Sequence, residues 1–207
     1  MDEEKIKNYS IKYLNFDEGV CYNGLQIHPL YTYEHYNVPG NSVLIFRGSM
    51  KLTPKEMLDL KDIIDESHLA KVLISSDDVI HFIVEEFDIQ PPNLEIMYYR
   101  LRILTMVIIE SLIERGITSV QRRGTDIYIG GKKLNVGVAT IGGNSGKIHF
   151  GINILSSGVP NHVQAIGLKE IGFSEKELLS FAISVARKYV QEIDKVKRDI
   201  VKTRVIK

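Results

Sequence analysis

Apolar residues recur along this chain at two different periods, and the changes of period mark its elements. From Leu94 to Arg115 they fall at helical spacing, on Leu94, Met97, Leu101, Leu104, Ile108 and Leu112, which predicts a long helix with one buried face. Gly116 supplies its stop. A second helical run, Leu178, Phe181, Val185, Tyr189, Ile193, Val196 and Ile200, follows Ser174 and Glu177, which have the spacing of a capping box. Shorter apolar runs predict strands over Tyr9 to Phe16, Ser42 to Phe46, Val79 to Phe87, Thr118 to Arg123, Thr125 to Ile129, Lys132 to Ile141 and Lys147 to Leu155. In Val79 to Phe87, alternation sets His81, Ile83 and Glu85 on one side and Ile80, Phe82 and Val84 on the other. Turned inward, His81 and Glu85 form a candidate pair; turned outward, they face water. Gly130-Gly131 is a hairpin turn, because two adjacent glycines accept the positive φ angles of a two-residue loop.

The intervening segments carry punctuation. Thr53, Pro54 and Glu56 predict a helix start, with Met57, Leu60 and Ile64 as its apolar stripe. Asp59, Asp62 and Asp65 then read as a solvated face rather than a metal site. Met1 to Asn8 is expected to be a ragged end. A turn at Asp17-Glu18-Gly19 returns the chain through Val20-Cys21-Tyr22. Pro29 keeps Gly24 to Tyr31 out of a central strand. Tyr31, Tyr33, His35 and Tyr36 predict a loop that packs its rings on the core or covers a pocket. Gly137 to Lys147 is a glycine-rich hairpin loop, and Asn161 to Lys169 a loop with a short helix packing Val163 and Leu168. Strands and helices mix irregularly. The expected fold class is therefore α+β, a largely antiparallel sheet with helices packed on one face, in a single domain over 1–207 with a C-terminal helical segment at about 174–204.

Composition adds exclusions. The 207 residues suffice for one domain with a substantial core. The 26 basic and 26 acidic side chains cancel, which argues against a large nucleic-acid footprint. Cys21 is the only cysteine, so neither an intrachain disulfide nor a cysteine zinc site can form. The acidic, polar N-terminus lacks a secretory h-region, and no apolar run approaches the ~18–20 residues of a membrane span. A cytoplasmic protein is expected. Charges around the final helical turns predict exposure or homo-oligomer contacts there.

Candidate chemistry concentrates between Gln121 and Pro160. Asp126 enters the hairpin, Lys132-Lys133 follow its turn, and Asn153 lies on the return strand. Strand alternation sends Lys132 and Lys133 in opposite directions. Arg122 and Arg123 are able to bind an anion in bidentate fashion. His81 and His149 each precede a Phe within a strand, where a buried hydrogen-bonded role outweighs a metal pair. The stretch GTDIYIGGKKLNVGVAT resembles the motif of biotin and lipoate protein ligases, and IHFGINI resembles the strand beside it. Nearly the whole chain, through YNGLQIHPLY, GNSVLIFRGSM, VIHFIVEEFD, the hairpin and GVPNHVQAIGL, resembles the uncharacterised prokaryotic domain-of-unknown-function family 366.

These resemblances imply the fold of the biotin and lipoate ligases and of the class II aminoacyl-tRNA synthetase core. They also imply an enzyme that activates or transfers a small carboxylate, with ATP and Mg2+ as the cofactors such chemistry uses. Lys133 and Asp126 take the catalytic positions by the resemblance. Arg47, Arg122, Arg123, Lys132, Asn153 and His149 are the ligand-binding candidates, with no metal held by the protein itself. The alternative is a noncatalytic small-anion-binding module of the same fold. The Gly/Arg-rich loop of the biotin ligases is reduced here to FRGSM with a single Arg47, which favours that alternative. There is no P-loop, nucleophile elbow or HExxH, and biotin or lipoate specificity is not expected.

Overall fold

The computed structural model describes residues 2–65 and 74–206. Its elements are β1 (Asp2–Ile6), β2 (Tyr9–Tyr13), α1 (Tyr31–Tyr36), β3 (Asn41–Leu52), α2 (Leu60–Asp65), β4 (Ile74–Glu86), α3 (Leu94–Glu114), β5 (Val120–Arg123), β6 (Asp126–Ile129), β7 (Lys132–Lys133), β8 (Asn135–Gly142), β9 (Ser145–Asn153) and α4 (Glu175–Lys202). Six strands form one sheet in the order β1-β2-β3-β4-β9-β8, and β5-β6-β7 form a second. All pairings are antiparallel except β2 with β3.

The central strands β3, β4 and β9 are covered on both faces, and alternation divides their side chains between two cores. Val43, Ile45, Ile80, Phe82, Val84, Ile148, Phe150 and Ile152 face α3 and α4. Leu44, Phe46, Val79 and Ile83 face the opposite side, where Tyr22, Met50, Leu52 and Met57 complete a smaller core. Helix α3 is capped by Asn93, whose side chain accepts from Ile96 N at 3.0 Å. The box of Ser174 and Glu177 caps α4 as the spacing predicts. Between helices and sheet, buried Glu86 accepts from the hydroxyls of Tyr9 and Tyr189 and from Arg100. A carboxylate so enclosed needs all of these donors, because an unpaired buried charge costs several kcal/mol. Among the described residues, no helix is long and apolar enough to cross a membrane.

The α+β class matches expectation, with the long helices α3 and α4 on one face, but the short helices α1 and α2 pack Tyr31, Tyr36 and Ile63 against the other, and several further elements differ. The N-terminus is strand β1, paired along its length with β2. The segment carrying Tyr31, Tyr33, His35 and Tyr36 is a short helix rather than a loop. Thr53 donates both its N–H and its hydroxyl to the Glu56 carboxylate, half of a capping box, yet these bonds close only a turn, and α2 begins at Leu60. Of the expected stripe, Met57 is buried while Leu60 and Ile64 are 71% and 69% exposed. The side chains of Asp62 and Asp65 lie outside the described residues. Leu94, placed on the buried face of α3, is largely exposed at the helix start. The run Lys132 to Ile141 is two strands, because β7 stays with the small sheet and β8 crosses to the edge of the large one. His81 and Glu85 are both buried, since β4 is covered on both faces from Val79 to Glu86.

Candidate functional site

The hairpin builds the centre of the site. Gly130 and Gly131 have φ of 57° and 79°, and this turn sets Tyr128 opposite Lys133. Asp126 lies two residues before Tyr128 and so shares a face with Lys133. Their side chains meet at 2.9 Å, each 28% exposed. Lys132 takes the opposite direction and remains exposed; against its burial, hydrogen bonds from Ser156 and Gly167, and last the charge of Lys132, lower the Glu170 pKa. The backbone of Lys133 is held on its other side as well. Its N–H donates to Gln164 O at 2.7 Å, and its carbonyl accepts from Ile166 N at 3.0 Å. The ammonium therefore projects from a backbone fixed on both edges.

Two adjoining cavities meet at Lys133. The first, of about 170 Å³, is bounded by Tyr22, Met57, Gly137 and His149 and by the carboxyl side chains Glu56, Asp59 and Asp126. The second, of about 110 Å³, is mostly apolar, with Val159, Pro160, Val163 and Ala165 opposite Asn135 and Asn153. Met50, Ile74, Val136 and Lys133 border both. Asn153 is buried and donates to Ile166 O at 3.4 Å. Buried Asn135 braces the hairpin entry, accepting from Ile127 N at 2.7 Å and donating to Thr125 O at 3.1 Å.

The wall beneath the first cavity is a histidine pair. Tyr22 N donates to Ser49 O, and Lys51 N to Tyr22 O, so Tyr22 lies strand-like beside β3. Its ring stacks on His149 with centroids 3.6 Å apart. His149 Nε2 is 3.0 Å from His81 Nδ1, and His81 Nε2 is 3.3 Å from Gly48 O. A carbonyl only accepts, which assigns the His81 proton to Nε2. His81 Nδ1 is then the acceptor, and His149 Nε2–H donates to it. The Nδ1 of His149 is left with a lone pair. Burial lowers the His81 pKa to about 3. Burial, and then the charge of His81, hold His149 well below the usual imidazole value, so both rings are neutral near pH 7.

Of the expected site residues, Lys133, Asp126, Asn153 and His149 come together here. The others do not. Arg47 shares the parity of Ile45 and faces the helical layer. There it makes two 2.7 Å bonds to Asp78 and reaches Glu175 at the start of α4. Arg122 bonds to Gly124 O at 2.9 Å, and Arg123 lies over the Tyr128 ring at 4.9 Å. Neither borders either of these two cavities. Tyr22, Glu56, Asn135 and His162 line the cavities without having been singled out. Tyr22 had no local signal, because its position depends on pairing with Met50, 28 positions away.

A nucleotide triphosphate is a poor match to this lining. Among the described residues, neither cavity is bordered by an arginine, Lys133 is the one ammonium, and three carboxyl side chains border the first cavity. Phosphate clamps need convergent cations. Among the same residues, no group of three or more His, Cys, Asp or Glu is placed to hold a metal ion.

Comparison with known proteins places this geometry. The chain is 40% identical over 203 residues to the uncharacterized protein MJ0805 of Methanocaldococcus jannaschii, covering 98% of this chain and 89% of that protein. A solved structure of a protein of unknown function from Pyrococcus horikoshi superposes with a TM-score of 0.84 at 32% identity, covering 96% of this chain and all of that one. Biotin protein ligase from Aquifex aeolicus, solved in complex with biotin and ATP, superposes with a TM-score of 0.57 at 17% identity, covering 93% of this chain and 73% of the ligase. At that identity the likeness is one of fold, and the lipoate protein ligases share it. Residues 11–204 match the family model described as domain of unknown function DUF366, and the chain belongs to that family.

Proposed function

We propose that the protein binds a small carboxylate, with Lys133 Nζ as the charge partner of the acid and the apolar body of the ligand in the second cavity. The observation that carries this reading is the place of Lys133: it borders both cavities, on a backbone held from both sides, with its ammonium 2.9 Å from Asp126. Its resting partner is weakly held. An ion pair as exposed as Lys133–Asp126 contributes about 0–1 kcal/mol, so an incoming carboxylate can replace Asp126 at little cost. The two cavities together approach the lower end of the ~300–1,000 Å³ of small-molecule sites, which suits a compact acid.

A second reading is that the bound acid is activated or transferred, as the ligases of this fold do with their own acids. What favours it is the placement of Asp126 on the first cavity, Asn153 on the second and Lys133 on both. Among the described residues no second cation joins Lys133 at either cavity, which favours binding alone.

A thermal-shift panel of short fatty acids, hydroxy acids, amino acids, biotin and lipoate, each with and without ATP–Mg2+, separates these readings. A ligand at a hundred times its Kd raises native stability by about 2.7 kcal/mol. Stabilisation by an acid, lost in Lys133→Ala, supports the site. Release of pyrophosphate in the presence of that acid supports activation. Stabilisation by the acid with no response to the nucleotide supports the binding module. No response to any acid refutes both.

A further inference from the structure

The histidine wall of the first cavity carries more than packing. His149 is 2% exposed, yet it borders a cavity. Its tautomer is dictated by a chain of two hydrogen bonds ending on Gly48 O, and the Tyr22 ring fixes its plane. Such an imidazole offers an acceptor and no free donor. The remaining polar lining points the same way: Glu56, Asp59 and Asp126 present carboxyl groups, against one ammonium from Lys133 among the described residues. Accordingly, the first cavity suits a hydrogen-bond donor and rejects a group that can only accept.

Taking the carboxylate reading as given, we infer that the ligand is a small acid bearing a donor, an amino or hydroxyl group, on the carbon next to its carboxylate, and that His149 Nδ1 receives this donor. A ligand with its carboxylate at Lys133 and its apolar tail in the second cavity can enter the first only with a group that branches beside the carboxylate. His149 is then a specificity residue: it discriminates by leaving its lone pair unmet when the donor is missing. A buried polar group left unpaired is what gives a site strong discrimination. The acidic lining further favours an ammonium over a hydroxyl.

The test is a matched series with straight tails of four to eight carbons: the unsubstituted acid, and its 2-amino, 2-hydroxy and 2-oxo forms. Each is titrated calorimetrically into the full-length protein. The inference expects the 2-amino or 2-hydroxy acid to bind about tenfold or more tighter than the unsubstituted and 2-oxo acids, one hydrogen bond to the lone pair being of that order. His149→Phe keeps a ring against Tyr22 but has no acceptor, and it erases the ratio. In the wild-type protein, the 15N resonance of His149 Nδ1 moves on addition of the donor-bearing acid and stays in place with the 2-oxo acid. This readout does not depend on the variant folding. Equal or tighter binding of the unsubstituted or 2-oxo acids overturns the inference, while Lys133-dependent binding of those same acids leaves the carboxylate reading standing. Failure of every acid in the series overturns both.

Discussion

Acidification provides a quantitative test of the buried histidine pair. In the unfolded chain an imidazole titrates near ~6.5, whereas burial drives His81 down to about 3 in the native protein. Between those values the unfolded state takes up a proton that the native state does not, so stability falls as pH falls. From pH 7.5 to 5.0 that linkage removes about 2 kcal/mol for His81 alone, at RT of about 0.59 kcal/mol. His149 is lowered too and adds to the loss in the same direction. The depressed carboxylates act in a lower range: against its burial, Asp88 is held down to about 2 by Arg100 and Lys197. Urea unfolding followed by far-UV circular dichroism at both pH values measures the difference. His81→Gln retains a donor for Gly48 O but has no group titrating in this window. It should be less stable at pH 7.5 and show a smaller loss on acidification. Equal stability at pH 7.5 and 5.0 in the wild type would refute the neutral buried pair, and with it the tautomer assigned to His149.

Other substitutions separate structural charges from site charges. Arg47→Ala strips Asp78 and Glu175 of a guanidinium that is 17% exposed and should cost about 2 kcal/mol in urea unfolding; because Arg47 faces the helical layer, affinity for a bound acid should not change, and a selective loss of affinity would return it to the site. Lys147 and Glu85 form an ion pair at 3.0 Å that is almost wholly buried. Lys147→Met leaves Glu85 uncompensated and should cost about 3–5 kcal/mol, with Lys147→Met/Glu85→Gln recovering part of it. A loss under about 1 kcal/mol in the single variant would show that the pair is solvated.

Much of this site can be read from the chain, and the part that cannot has a physical reason. Gly130-Gly131 sets the register of the hairpin, and register together with alternation puts Asp126 and Lys133 on one face and Lys132 on the other. These are local rules, and they hold. Arg47 is different. Leu44 and Phe46 face one core while Val43 and Ile45 face the other, so β3 reads as an unbroken apolar run with no mark of which parity meets the cavity. The same continuity hides the burial of His81 and Glu85 on β4. Thr53 and Glu56 show the limit of a capping signal: the Glu56 carboxylate closes a turn on Thr53 whether or not a helix follows. Tyr22, Asn135 and the histidine chain to Gly48 depend on contacts between distant segments, which no local pattern encodes.

The central claim is that Lys133 receives a carboxylate where the two cavities meet. Titration calorimetry of the tightest-binding acid from the panel into the wild-type protein and into Lys133→Ala tests it most directly. The variant should remain folded, because the Lys133–Asp126 pair is worth about 1 kcal/mol or less. Its affinity for the acid should fall by at least about tenfold, the equivalent of ~1.4 kcal/mol of lost charge pairing. An acid that binds the folded variant as tightly as the wild type would contradict the account and move the site away from the hairpin.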